Sequence, residues 1–184
     1  MEDDRWEYRI WAGADDLVPL STRVAEAAEG EADAQYRTDV YLLGTDEAVS
    51  AKLRFGRVLE VKELLGTKGV AEHWLLAASA EPPFPGDVLQ RLGLAAADAG
   101  SPDSLVAAAE AKGFRALAVR KHRRRFTLDG GEAEITDVMF EKKIFATIGI
   151  ETPAYEACVA IAERLGLTEY ENTDYGSFLR DQLR

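Results

Sequence analysis

From Arg115 to Leu128 the chain alternates with a period of two, and the middle of that stretch reads Arg120-Lys121-His122-Arg123-Arg124-Arg125. Such alternation is the mark of a β-strand, whose successive side chains point to opposite faces. One face therefore carries Lys121, Arg123 and Arg125, and the other carries Arg120 and Arg124. Cations crowded on one face must meet either water or anions, because burying them unpaired is costly. The chain as a whole makes this concentration unusual: it has 33 acidic against 22 basic side chains and a formal net charge of −11. That balance disfavours non-specific binding to nucleic acid or an anionic membrane surface. A solvated basic strand accounts for most charge runs. A local anion site is the competing explanation, and alternation alone does not choose between them.

Other segments alternate in the same way. Trp6 to Trp11 places Arg5, Glu7 and Arg9 on one face, and Gln35 to Leu43 places Gln35, Arg37, Asp39 and Tyr41 together. Ala51 to Phe55 and Val58 to Lys62 read as a hairpin around the two-residue turn Gly56-Arg57, with Lys52 and Arg54 on one face and Glu60 beside Lys62. Further strands are predicted over His73–Ala78, Glu132–Met139 and Ile144–Glu151, with a turn at Gly66–Gly69. Helices are predicted over Asp15–Ala28, where Pro19 or Ser21 marks the start or a break, and over Asp87–Leu92. Ser101-Pro102 caps another, which Gly113 ends. Thr152-Pro153 opens a helix that buries Ala154, Ala157, Cys158, Ile161 and Leu165 and stops at Gly166. Thr173 or Asp174 caps the last, which carries Tyr175, Phe178, Leu179 and Leu183. No repeat or long linker divides the 184 residues, so one domain spanning residues 1–184 is expected.

Several chemistries find no support. The apolar runs, such as Trp74 to Ala78, are too short to span a bilayer, and the acidic start Met-Glu-Asp-Asp-Arg is unlike a secretory leader. A lone cysteine, Cys158, forms no internal disulfide and fits a reducing, cytoplasmic setting. Its place on a buried helix face makes it an inert core thiol. His73 and His122 are the only histidines, which argues against zinc. The tryptophans read as core or barrel-wall residues rather than base-stacking platforms.

The order of the motifs carries a resemblance. Gln35-Tyr36-Arg37-Thr38-Asp39-Val40-Tyr41-Leu42, Lys52-Leu53-Arg54, Leu59-Glu60-Val61-Lys62, Lys121-His122-Arg123, Ile135-Thr136-Asp137-Val138 and Asp174-Tyr175-Gly176-Ser177-Phe178-Leu179 follow one another as do the motifs of the CYTH superfamily. These triphosphate tunnel metalloenzymes include thiamine triphosphatases, inorganic triphosphatases and class IV adenylate cyclases. The resemblance runs from Glu7 to Leu183 and implies an α+β fold: a closed antiparallel β-barrel, or tunnel, with flanking helices.

It also implies roles for residues. Lys52, Arg54, Lys62, Lys121, Arg123 and Arg125 would face the lumen and grip a triphosphate or nucleotide, since arginine matches phosphate oxygens in a bidentate fork. Cations so enclosed would leave an electrostatic deficit for the ligand to fill. Glu7, Asp137 and Glu151 would hold magnesium or manganese through oxygen, with Glu134 a weaker candidate. Glu7, Arg9 and Glu151 would form the catalytic group, with Arg9 at the mouth or floor of the tunnel. Two positions depart from the family pattern: Arg5 and Gly149 stand where carboxylates are expected. A non-catalytic polyphosphate-binding module that has lost its metal site is therefore the alternative to a metal-dependent triphosphatase or adenylate cyclase-like enzyme. Oligomeric state is left open.

Overall fold

The computed structural model describes residues 4–95 and 99–184, so the acidic start at residues 1–3 lies outside the described residues. Eight strands form the framework: β1 (Asp4–Ala12), β2 (Asp33–Leu43), β3 (Val49–Arg54), β4 (Val58–Lys68), β5 (Ala71–Ala80), β6 (Arg115–Leu128), β7 (Gly131–Phe140) and β8 (Lys143–Thr152). They close into a barrel in the order β1-β5-β4-β3-β2-β6-β7-β8, every neighbour antiparallel. The long basic strand pairs with β2 from Arg115 to Arg125 and with β7 from Arg120 to Leu128.

Apolar side chains on the outer faces are covered by helices. Against one side pack α1 (Ala14–Ala27) and α4 (Tyr155–Leu165), burying Leu17, Leu20, Val24, Cys158, Ile161 and Leu165 on Tyr8, Ile10, Ile135 and Ile150. Against another pack α2 (Gly86–Gln90) and α3 (Pro102–Ala111), burying Leu89 and Leu105 on Leu53, Leu59 and Val61. Two helix ends show a local cause in the sequence. Ser101 accepts from the Ser104 amide in a reciprocal capping box, with Pro102 in the first turn. At the other end of α4, Gly166 takes φ +72°, a left-handed cap that side chains with a Cβ disfavour.

Several local expectations need correction. Helix α1 runs through Pro19, its sixth residue, without a break, at the loss of the one intrahelical bond that a proline cannot donate. The β3–β4 turn takes Phe55, Gly56 and Arg57, with Phe55 at φ 54°. Strand β4 continues through Gly66 with register shifts at Val61/Lys62 and Leu64/Gly66, where a plain turn was expected. Helix α4 begins at Tyr155, so Ala154 is exposed and Ala157 only half-buried, while Ala162 joins the core instead.

The last helix, α5 (Tyr175–Gln182), closes one end of the barrel. Strands β1 and β5 pair only from Asp4↔Leu75 to Glu7↔Glu72. Beyond that the incoming C-terminal segment takes over: the Arg9 amide donates to Asn172 Oδ1 at 2.7 Å and the Thr173 amide to the Arg9 carbonyl at 2.8 Å. Asp174 then caps α5 through the Gly176 and Ser177 amides. The helix sets Tyr175, Phe178 and Leu179 against Trp11, Tyr41, Leu117, Val119, Val138 and Phe140. Trp11 stacks on Phe178 with ring centroids 3.6 Å apart.

Leu179 is fully buried at this plug and Ile144 is 70% exposed on the outer wall. Leu179→Ala is expected to cost about 2–4 kcal/mol in urea unfolding. Ile144→Ala should stay within about 0.5 kcal/mol.

Candidate functional site

Inside a small barrel every second side chain has nowhere to go but the lumen. Two connected cavities of about 70 and 210 Å³ occupy it. The inner one lies next to the plug and is lined by Arg9, Tyr41, Lys121, Trp74, Asp174 and Tyr175. The outer one opens away from α5 past Arg54, Arg125 and Glu132. Arg37, Lys52, Glu60, Lys62, Arg123, Glu134 and Glu151 line both.

Nearly every lumen cation already has a carboxylate. At the floor Arg9 lies 3.6 Å from Glu134, donates to Thr147 Oγ1 at 3.3 Å and stacks over Tyr175. Arg123 approaches Glu134 from the other side, its Nε donating at 2.8 Å, and Thr136 Oγ1 donates to the same carboxylate at 2.7 Å. Burial works against the Glu134 anion, but Arg9 and Arg123 outweigh it and hold its pKa well below the usual carboxylate range. Asp39, fully buried, serves Arg37 at 3.1 Å and Lys121 at 3.3 Å. Lys121 also donates to Tyr41 Oη at 2.7 Å, and its pKa is pushed well down by burial and by the Lys52 charge. Glu60 accepts from Lys52 at 3.2 Å and Arg54 at 3.1 Å. Lys62 donates to Glu7. At the rim Arg125 pairs with Asp33.

The protein itself thus compensates much of the enclosed charge, but Asp39, Glu60 and Glu134 each serve two cations, so the expected electrostatic deficit is reduced rather than removed. Lys52, Arg54, Lys62, Lys121 and Arg123 are brought together in the lumen, Arg125 stands at its mouth, and Arg9 is at the floor. The residues that sequence reasoning passed over are the counter-ions Asp39 and Glu60 and the cation Arg37. Their signal was present, since Arg37, Asp39 and Tyr41 share one face of β2 and Glu60 shares one with Lys62.

The proposed metal ligands fare differently. Glu7 and Glu151 are cross-strand partners on β1 and β8, and both reach the inner cavity. Asp137 does not join them. It lies on the opposite face of β7 from Glu134 and Thr136, is 55% exposed, and sits 3.4 Å from His122 on the outer wall. Arg5 is exposed and donates to its neighbour's carbonyl. Gly149 faces the lumen, but a Cβ there would fall 2.6 Å from Arg9 Cζ, so the Arg9 guanidinium fills the space that a side chain at 149 would need. Among the described residues no group of three or more His, Cys, Asp or Glu is arranged to hold a metal ion. The magnesium or manganese that the resemblance implies does not fit this donor set.

Comparison with solved structures is decisive for the architecture. The PH1012 protein from Pyrococcus horikoshii matches 94% of this chain over 97% of its own, with a TM-score of 0.57 at 16% identity. HpAC1 from Hippeastrum, a candidate adenylyl cyclase with a dominant triphosphatase activity, matches over 95% and 93% with a TM-score of 0.56 at 14% identity. The shared fold is the closed antiparallel β-barrel with flanking helices. A candidate adenylate cyclase from Bacillus halodurans has the same tunnel fold, with a TM-score of 0.55 at 12% identity over 95% of this chain and 92% of its own. No family model and no curated protein matches the sequence. No helix among the described residues is long and apolar enough to cross a membrane.

One carboxylate of the lumen has its pKa raised towards neutrality. Burial and the neighbouring Asp174 and Glu7 push Glu72 up to about 7, against the Trp74 indole that donates to it at 3.0 Å. A raised folded-state pKa means that Glu72 favours folding when protonated and that this contribution fades as pH rises towards and through 7. Glu72→Gln is therefore expected to stabilise the protein by about 1 kcal/mol at pH 8, allowing for screening of a partly exposed group, and by almost nothing at pH 5. Thermal melts of both proteins across that range provide the check.

Proposed function

We propose that the outer cavity binds the polyphosphate part of a small molecule, an inorganic triphosphate or a nucleotide. The observation that carries this reading is the gradient of ion-pair strength along the lumen. Pairs at the floor, such as Arg37 with Asp39, are buried on both sides, and breaking one would strand a charge at a cost of several kcal/mol. Pairs at the mouth are wet: Arg54 is 38% and Arg125 43% exposed. Exposed pairs of this kind are worth about 0–1 kcal/mol. A polyphosphate can therefore displace Asp33 from Arg125 cheaply and take the exposed side of Arg54. Further in it would share Lys52 and Arg123 with Glu60 and Glu134, which are only 12% and 9% exposed, so that the floor network keeps its shape. The acidic exterior repels nucleic acid, so a small anion is the ligand favoured. A cytoplasmic location belongs to the same reading and rests on the lone buried thiol of Cys158.

Metal-dependent hydrolysis or cyclisation, with Glu7, Arg9 and Glu151 as the catalytic group, is the second reading. The cross-strand placement of Glu7 beside Glu151 favours it. The Lys62 and Arg9 contacts favour the binding module.

Tripolyphosphate should raise the melting temperature more than sodium chloride of equal ionic strength. At a hundredfold excess over Kd the gain is about 2.7 kcal/mol. Arg123→Ala should lose most of it, and the exposed outer-face variant Arg120→Ala should keep it. No shift, or equal losses from the two variants, would reject the tunnel as the binding site.

A further inference from the structure

Lys62 reaches further than its place in the sheet suggests. Strand β4 is separated from β1 by β5, yet the Lys62 ammonium donates to Glu7 on β1. Lys62 keeps the inward alternation of Glu60 on β4, and the register shift opposite it skips Ala77 on β5, the strand between Lys62 and β1. Glu7 stands directly across from Glu151. Glu7, Lys62 and Glu151 line the same inner cavity, so the ammonium's charge acts on both carboxylates. Just below, the Arg9 guanidinium fills the space over Gly149. Two carboxylates that face one another are thus supplied with a cation from the chain, and the remaining ligand position is blocked by another.

We infer that the Lys62 ammonium stands in the place of a divalent cation between Glu7 and Glu151, so that this tunnel takes no metal and engages its anionic ligand without one. The inference rests on the reading of the lumen as a polyphosphate site only in its last clause. A lysine ammonium is a compact point charge with three donors, and it satisfies a carboxylate pair without metal coordination. A divalent ion entering the same space would meet like charge from both Lys62 and Arg9, a repulsion that grows as the surroundings lose water. Removing the ammonium alone should turn the pair into a cation site, since two carboxylates would then face each other with no counter-charge between them.

Manganese binding, followed by loss of the free-ion signal in electron paramagnetic resonance, tests this without any activity assay. Wild type and Glu151→Gln should bind Mn²⁺ equally weakly, through scattered surface carboxylates only. Lys62→Met should bind Mn²⁺ at least about tenfold more tightly than wild type, and Glu151→Gln added to it should abolish the gain. Tight stoichiometric binding by wild type that Glu151→Gln removes would overturn the inference. So would a Lys62→Met protein that keeps its circular dichroism spectrum and gains nothing. If Lys62→Met does not fold, the wild-type and Glu151→Gln pair still decides. These outcomes are independent of tripolyphosphate, whose failure to raise the melting temperature in chelator and in manganese alike would reject the binding function instead.

Discussion

Charge enclosed by a closed sheet has no solvent to relax into. An unpaired cation in such a space costs several kcal/mol, and a paired one breaks even only when its remaining donors are also satisfied. Barrel closure thus dictates the pattern of carboxylates as well as of cations. Asp39 answers Arg37 and Lys121, Glu134 answers Arg9 and Arg123, Glu60 answers Lys52 and Arg54, and Glu7 answers Lys62. The plug extends the same logic. By seating Tyr175 beneath Arg9 and Lys121, α5 gives both cations an aromatic face as well as a carboxylate. Folding the C-terminal segment against β1 is therefore coupled to charge balance at the floor.

This compensation shapes what the tunnel can do. A lumen of bare cations would have attracted any small anion, with the strength of a buried deficit behind it. A compensated lumen discriminates, because a ligand must outcompete carboxylates that already hold good geometry. Only the wet pairs at the mouth yield easily, and an anion with several charged oxygens in a row is what can hold Arg54, Lys52 and Arg123 at once. The floor then acts as a fixed electrostatic base rather than a binding surface.

Much of the framework was legible in the sequence. The strand from Arg115 to Leu128 has the bounds its alternation implied, and Ser101 and Gly166 cap the helices they were expected to cap. What was hidden is instructive. Strand β7 carries apolar residues at both parities, with Ile135 packed on α1 and α4 outside and Val138 packed on the plug inside. Its inward face could not be told from pattern alone, and Asp137 falls on the outer one. The occupation of the Gly149 space by Arg9 joins residues 140 positions apart through the β1–β8 register, which no local pattern encodes. The plug helix was visible as an amphipathic segment, but the barrel end it closes was not.

A crystal structure of the protein soaked with tripolyphosphate bears most directly on the compensated tunnel. The account predicts phosphate density in the outer cavity against Arg54, Lys52 and Arg123, with Asp33 turned away from Arg125 and the Arg37–Asp39 and Arg9–Glu134 pairs unmoved. Density confined to the outer wall around Arg120 and Arg124, or phosphates seated at the floor with those inner pairs broken, would contradict it.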